Sequence, residues 1–223
     1  MPILLRAAIP QDAQAIAEII EIAFHEEANS GQIQRLIASK THFSYLAEIE
    51  KPLGFIDGFL TITQDGTKRL ELDLLAVHPD FMGRGIGKQL IRSFSEHIAD
   101  ADLIRTLVAV DNSPMHHAMM ATGYQLIPQV HALYVSSENS EKAESPQEAH
   151  LIPVETFTYS GIWMEGKMSK EAIQSAQYQR GKRGFDVVGA VISNENKQAI
   201  AAVQQADFDY IKNYQWWFRQ KDS

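Results

Sequence analysis

Val77-His78-Pro79-Asp80-Phe81-Met82-Gly83-Arg84-Gly85-Ile86-Gly87-Lys88 joins one apolar segment to another through three glycines at alternate positions. Before it, Arg69 to Val77 reads as a strand. After it, Ile86, Leu90, Ile91, Phe94 and Ile98 share one face of a helix running from about Ile86 to Ile98. Glycine at these places lets the backbone take positive φ and lets a ligand reach the amides with no Cβ in the way. The unpaired N–H groups and partial positive charge of a helix N-terminus add to that, so the loop suits a phosphate or pyrophosphate. It is neither a P-loop, which needs a Gly-Lys-Ser/Thr ending, nor a GxGxxG turn, whose spacing differs. The plainer alternative is a tight strand-to-helix turn.

Outward from this loop the pattern alternates. Ile3 to Ile9 is a short strand, Pro10 to Phe24 a helix with Pro10 near its start, and Ile33 to Ala38 a second short helix. Phe43 to Ile49, Leu53 to Thr63 and Arg69 to Val77 form a meander broken by Glu50-Lys51-Pro52 and Gln64-Asp65-Gly66. Leu103 to Val110 is a strand, Pro114 to Ala121 a helix and Tyr124 to Val135 a strand.

The composition then shifts once, at Ser136 to His150 (SSENSEKAESPQEAH), which has no large apolar residue and reads as a linker. The 223 residues thus divide into 1–135, 136–150 and 151–223. The whole chain carries net charge −8, and the acidity lies mostly before the linker. That sign argues against a general grip on nucleic acid, which needs Lys and Arg against phosphates. With 45% apolar and 22% charged residues the chain can bury a core unaided. Cys is absent, which removes thiol nucleophiles and thiolate metal sites and fits a reducing compartment. The N-terminus shows no secretory signal pattern, and no apolar run approaches the roughly 20 residues of a membrane span. The expectation is a soluble cytoplasmic protein with no membrane, nucleic-acid or metal partner.

In element order over residues 3 to 135, and most specifically in LAVHPDFMGRGIGKQL (Leu75 to Leu90), the chain resembles the GNAT superfamily of acetyl-CoA-dependent N-acetyltransferases. The resemblance implies an α/β (α+β) fold, a mixed central sheet flanked by helices. It implies acetyl-CoA as cosubstrate, its pyrophosphate on Met82, Gly83, Arg84, Gly85, Ile86, Gly87 and Lys88, and its pantetheine arm along Leu75, Ala76 and Val77. Met82 stands where the family usually has Gln or Arg. Asn112 and Gly123-Tyr124 match a second family pattern, but its Tyr position is Met119, and a thioether cannot protonate a departing thiolate.

Acetyl transfer to an amine needs an oxyanion donor, a base and an acid. A backbone N–H near Ala76 or Val77 would serve the oxyanion. Glu71 and Asp73 are the candidate bases, two apart on one strand face; the alternative is carboxylates paired with Lys68 or Arg69. His116, one turn before Met119, is offered as substitute acid or substrate contact, against a surface histidine. His116 and His117 are adjacent and so cannot ligate one metal from one helix face. Tyr124 and Tyr134 are weaker candidates, readable as core residues.

Leu151 to Trp163 (strand), Ser169 to Gln179 (helix), Phe185 to Ile192 (strand), Glu195 to Ala206 (helix) and Tyr210 to Phe218 (strand) follow. Asn196, Ala199 and Asp207-Phe208 lie 84 positions after Asn112, Met115 and Gly123-Tyr124, and by that shift Glu155 falls on Glu71. The same shift sets Lys167 to Glu171 against the glycine loop, which therefore has no counterpart. Two readings stand: a degenerate half-repeat unable to bind coenzyme A, or an unrelated small α/β extension. Trp216, Trp217 and Phe218 expose too much apolar surface alone, so the part should pack on the first domain or on a second protomer in a homodimer. The acceptor is a small-molecule or peptide amine, and the competing class is a non-catalytic acetyl-CoA-binding module.

Overall fold

A computed structural model describes residues 2–96, 101–141 and 148–220. Ile98 of the expected helix and the middle of the expected linker lie outside the described residues. Ten strands form one sheet: β1 (Leu4–Ala7), β2 (His42–Glu48), β3 (Pro52–Ile62), β4 (Lys68–Val77), β5 (Leu103–Ala109), β6 (Gln125–Ser136), β7 (Ala149–Glu155), β8 (Ser160–Gly166), β9 (Val187–Ser193) and β10 (Asp209–Gln220). Six helices accompany them: α1 (Ala13–Phe24), α2 (Ser30–Ile37), α3 (Ile86–Ser95), α4 (Ser113–Ala121), α5 (Lys170–Arg183) and α6 (Lys197–Gln204). The architecture is the mixed sheet flanked by helices that the resemblance implies.

Most expected elements recur within a few residues, but Leu151 to Trp163 is a hairpin, β7 and β8, rather than one strand. The break is chemical. The Thr156 hydroxyl accepts from the Thr158 and Tyr159 amides, and the Thr156 N–H donates to the Tyr159 carbonyl, which closes a turn in place of extended backbone.

The sheet order is β1-β2-β3-β4-β5-β10-β6-β9-β8-β7. The last strand of each part therefore sits beside the other part: β10 pairs with β5, β6 with β9, and the two pair with each other. β4 runs parallel to β5 and β8 parallel to β9, so the order reads the same outward from the β10–β6 centre. The offset of 84 holds from β5 and β9 onward, since Leu103–Ala109 answers Val187–Ser193 and Gln125–Ser136 answers Asp209–Gln220. It fails one strand earlier. The ladder sets Glu71 opposite Arg105 and Trp163 opposite Gly189, so Trp163, 92 residues on, answers Glu71, and Glu155 does not. The eight-residue difference falls between strand and following helix: fourteen residues separate Glu71 from Ile86 and six separate Trp163 from Lys170, five of the eight being lost from the connection itself, which has three residues after Gly166 against eight after Val77.

Helices α3 and α4 pack on one face of the sheet around Leu90, Phe94, Ile104 and Met119, and α5 and α6 around Ile162, Val188 and Ile192. Of the three aromatics expected to need cover, Trp217 is buried in the first of these cores, while Trp216 and Phe218 are half-buried. On the opposite face α1 and α2 pack around Ile16, Ile33 and Phe55, and the β7–β8 turn contributes Phe157 to that cluster. Ile152 and Val154 also meet Phe59, so the β7–β8 hairpin folds over the face of β3 and the sheet curls around a concave interior. Tyr124 and Tyr134 are core residues; the Tyr124 hydroxyl bonds Ser95, and burial raises it to about 12.

Candidate active site

The site begins where β4 and β5 part. Their parallel pairing covers only Arg69–Glu71 against Leu103–Arg105, and beyond it β4 continues to Val77 without a strand on that side. A register shift against β3, where Asp57 faces Leu74 but Gly58 faces Leu72, makes Asp73 the extra residue of a bulge. A bulge bends the strand and turns its side chain off the regular alternation.

Beyond the parting, a groove of about 690 Å³ runs along Leu75, Ala76 and Val77 to Met82, Gly83, Gly85, Ile86, Gly87 and Lys88, with Asn112 and α4 as its other wall. Gly83 and Gly85 have φ of 75° and 79°, which side-chain-bearing residues rarely adopt. The first hydrogen bond of α3 runs from the Gln89 N–H to the Gly85 carbonyl at 3.2 Å, so the amides of Ile86, Gly87 and Lys88 have no helical partner. A donor set of unpaired amides at a helix N-terminus fits a pyrophosphate. Every residue expected to hold the cosubstrate lines this groove except Arg84, whose guanidinium lies over the Phe81 ring at 5.0 Å and donates to the Asp80 carbonyl. The Asn112 Oδ1 caps α4 by accepting from the Met115 amide, and Asn196 caps α6 through the Ala199 amide in the same way. Helix capping therefore explains the repeated Asn.

On the other side of the parting a second cavity, of about 390 Å³, occupies the concave interior. Glu71, Leu72 and Asp73 of β4 line it, with Arg105 and Leu107 of β5, His131 and Leu133 of β6, Trp163 and Glu165 of β8, Val191 of β9, Tyr214 and Trp216 of β10, and Tyr159. Six of these thirteen lie beyond residue 136, where the sequence offered no chemical signal.

The two candidate bases differ sharply. Glu71 is 2% exposed, and both its oxygens are engaged: Oε1 accepts from the Thr61 hydroxyl at 2.9 Å and lies 3.3 Å from Arg69 Nε, while Oε2 accepts from Arg105 Nε at 2.7 Å. Arg69 and Arg105 both reach on to Glu165, which closes a quartet of two cations and two anions across the two parts. Burial acts to raise the Glu165 carboxyl, but its hydrogen bonds and ion pairs with the two arginines hold it below the ordinary value. This is the carboxylate-pairing alternative, in a buried form.

Asp73 is outside that quartet. Its Oδ2 is buried with no hydrogen-bond partner, and among the described residues no Lys or Arg pairs with it. Burial, helped by the charge on Glu71, pushes its carboxyl up to about 7. Tyr159 and Tyr214 stand nearby with phenols raised mainly by burial, and the Tyr159 oxygen accepts from Trp163 Nε1 at 3.0 Å.

His116 is not available as an acid. Its Nδ1 accepts from the Trp217 indole N–H at 3.0 Å, so the proton sits on Nε2, which donates to the Ala109 carbonyl at 3.0 Å. A neutral imidazole has one donor and one acceptor, and here both are spent on pinning α4 to β10 and β5. Met119 is fully buried and faces the core rather than the groove.

Residues 13–124 match the model of the acetyltransferase (GNAT) family. The chain belongs to that family, and so is an acyltransferase with acetyl-CoA as its cosubstrate. Among solved structures, a proposed acetyltransferase from Pyrococcus horikoshii superposes with a TM-score of 0.64 at 12% identity, over 99% of this chain and 90% of its own. A GCN5-related N-acetyltransferase from Sphaerobacter thermophilus gives 0.61 at 14%, over 98% and 95%. NAA60 of Arabidopsis thaliana, solved with acetyl-CoA, gives 0.52 at 16%, over 58% of this chain and 88% of its own. The first two include the second part of the chain, so the doubled sheet is a recurring form of the fold. No curated protein sequence matches significantly.

Proposed function

We propose that the protein transfers the acetyl group of acetyl-CoA to an amine, with Asp73 as the base. The observation that carries this is the buried, unpartnered Asp73 Oδ2, held near neutrality in a cavity that meets the donor groove on the same strand. Asp73 precedes Leu75 by two residues, ~7 Å of extended chain, so a base in one cavity reaches the end of a donor lying in the other. A base whose pKa lies near the working pH combines a large free fraction with a useful driving force. A non-catalytic binding module would have no use for it.

The loop amides from Gly83 to Lys88 hold the pyrophosphate, and Leu75, Ala76 and Val77 pair with the pantetheine arm. As the amine nitrogen bonds to the acetyl carbon, its proton passes to Asp73, and β4 amides without a β5 partner, at Ala76 or Val77, donate to the carbonyl oxygen. The carbon–sulfur bond breaks, and the sulfur takes a proton from Tyr214. That phenol lines the cavity on the strand position paired with Ala109, and its raised pKa keeps it protonated at neutral pH. Glu71 serves instead to raise Asp73 by its charge and to hold Arg69 and Arg105.

The stretch before the end of β6 at Ser136 carries donor site and base, and from the start of β7 at Ala149 onward the chain completes the walls of the acceptor cavity. No described helix is long and apolar enough to cross a membrane. We place the reaction in the cytoplasm because a chain without Cys fits a reducing compartment. The test is thermal stabilisation by acetyl-CoA followed by thiol release with amines. Stabilisation with thiol release is expected. Stabilisation with no release from any amine would leave a binding module, and no stabilisation far above micromolar acetyl-CoA would remove both readings.

A further inference from the structure

We infer that the acceptor is a small primary monoamine on an aromatic body, bound whole in the concave cavity, rather than a polyamine or a protein N-terminus. This rests on the acetyltransferase reading of the same site. Size comes first: about 390 Å³ is at the lower end of small-molecule pockets, which run to roughly 300–1,000 Å³. Its walls come from six strands and both parts of the chain.

The side towards α2 is fastened shut. Gln32 Nε2 donates to the Thr156 carbonyl at 2.6 Å, Arg35 pairs with Glu155 at 2.8 Å, and Phe157 is 1% exposed in the α1–α2 cluster. A polypeptide approaching from that side would have to displace the β7–β8 turn to bring its terminus to Asp73.

Charge comes second. The charged side chains facing the cavity are Glu71, Asp73, Arg105 and Glu165, with Arg69 behind them and His131 opposite. Arg69 and Arg105 neutralise Glu71 and Glu165 pair for pair, and the His131 Nδ1 donates to the Gln129 carbonyl. One carboxylate, Asp73, is left to receive one ammonium. A second ammonium would be buried without a counter-charge, which is costly.

The walls set the body. Tyr159, Trp163, Tyr214 and Trp216 present four aromatic rings around one anionic point, and Arg105 already covers the Trp216 face at 4.4 Å. Rings left open stack on an aromatic substituent and attract the cation beside it.

Gly189 offers a clean probe. A Cβ there would meet only Trp163 Cδ1, at an ordinary 3.7 Å, so the first atom that Gly189→Val adds on the cavity wall meets no backbone. The experiment measures thiol release from acetyl-CoA with phenethylamine, spermidine and a hexapeptide bearing a free N-terminus, on the wild type and on Gly189→Val. Phenethylamine should exceed both others in kcat/KM by at least about 100-fold, the scale on which a desolvated, unpaired charge is rejected. In Gly189→Val its KM should rise at least about tenfold through lost pocket volume, while thermal stabilisation by acetyl-CoA is unchanged. Spermidine or peptide matching phenethylamine, an unaltered KM in Gly189→Val, or acetyl-CoA binding with no turnover of phenethylamine would each overturn the inference. Failure of acetyl-CoA itself to stabilise the protein would instead remove the acetyltransferase reading beneath it.

Discussion

The two parts of the sheet share strand order, crossover helices and even the capping Asn, yet among the described residues a glycine-lined groove follows the crossover strand of the first part only. The difference is concentrated in eight residues. Between β4 and α3 they build the turn that sets Gly83 and Gly85 at positive φ and frees the first amides of α3. Between β8 and α5 only three residues stand in their place, and Ser169 caps the helix with its own hydroxyl, accepting from the Ala172 amide. The same divergence shows in the strands, where the position of Glu71 is taken by Trp163. The first part carries the glycine-lined groove, and the second contributes Tyr159, Trp163, Tyr214 and Trp216 to the wall of the cavity. Because β6 and β10 are exchanged, neither part can be removed without opening the other's sheet.

The largest expected effect falls on the base. Asp73→Asn should lower kcat by about 10²–10⁴-fold, the range for loss of a general base, with the protein still folded. Stability should respond as well. The folded-state pKa of about 7 lies above the ordinary 3.8, so between those values the folded protein holds the extra proton. Its contribution is full below the ordinary value and is lost as pH rises through about 7. Asp73→Asn should therefore gain stability over the wild type on going from pH 5 to pH 8, as melting curves would show.

Next come the glycines that mark the difference between the parts. Gly85→Val forces a β-branched residue to φ of 79° in the donor loop and should weaken acetyl-CoA at least about tenfold by calorimetry. Gly184→Val imposes similar strain at the end of α5, where φ is 67°; it should cost about 1 kcal/mol of stability and leave acetyl-CoA affinity intact. Equal loss of affinity in both would dissolve the contrast.

A smaller effect tests the joint between the parts. Glu165→Gln leaves Arg69 and Arg105 with only Glu71 and should destabilise by about 1–3 kcal/mol in urea unfolding, with one cooperative transition preserved. Smallest is His116→Gln, which keeps one donor and one acceptor. It should cost at most about 1 kcal/mol and leave kcat unaltered. A fall in kcat alone would restore His116 as an acid.

The groove proposed for the donor was legible because its geometry is local. Three glycines, a strand before and a helix after place backbone amides with no help from distant chain. The acceptor half was not. Asp73 and Glu71 look alike in sequence, two residues apart; a bulge and two arginines separate them, and Arg105 reaches Glu71 only through the β4–β5 register. Tyr214, Trp163 and Glu165 arrive through the exchange of β6 and β10 and the curl of the β7–β8 hairpin. The 84-residue spacing pointed to a repeat, but spacing cannot say that the last strand of each part crosses to the other. His116 misled for a related reason, since its partner Trp217 lies 101 residues away.

The most direct test is the pH dependence of kcat/KM for the wild type beside Glu71→Gln. With Asp73 as the base, activity rises with pH through about 7 in the wild type. Glu71→Gln keeps that rise but moves it to lower pH, because the Glu71 charge that raises Asp73 is gone. Disappearance of the rise in Glu71→Gln, with its retention in Asp73→Asn, would make Glu71 the base and contradict the account.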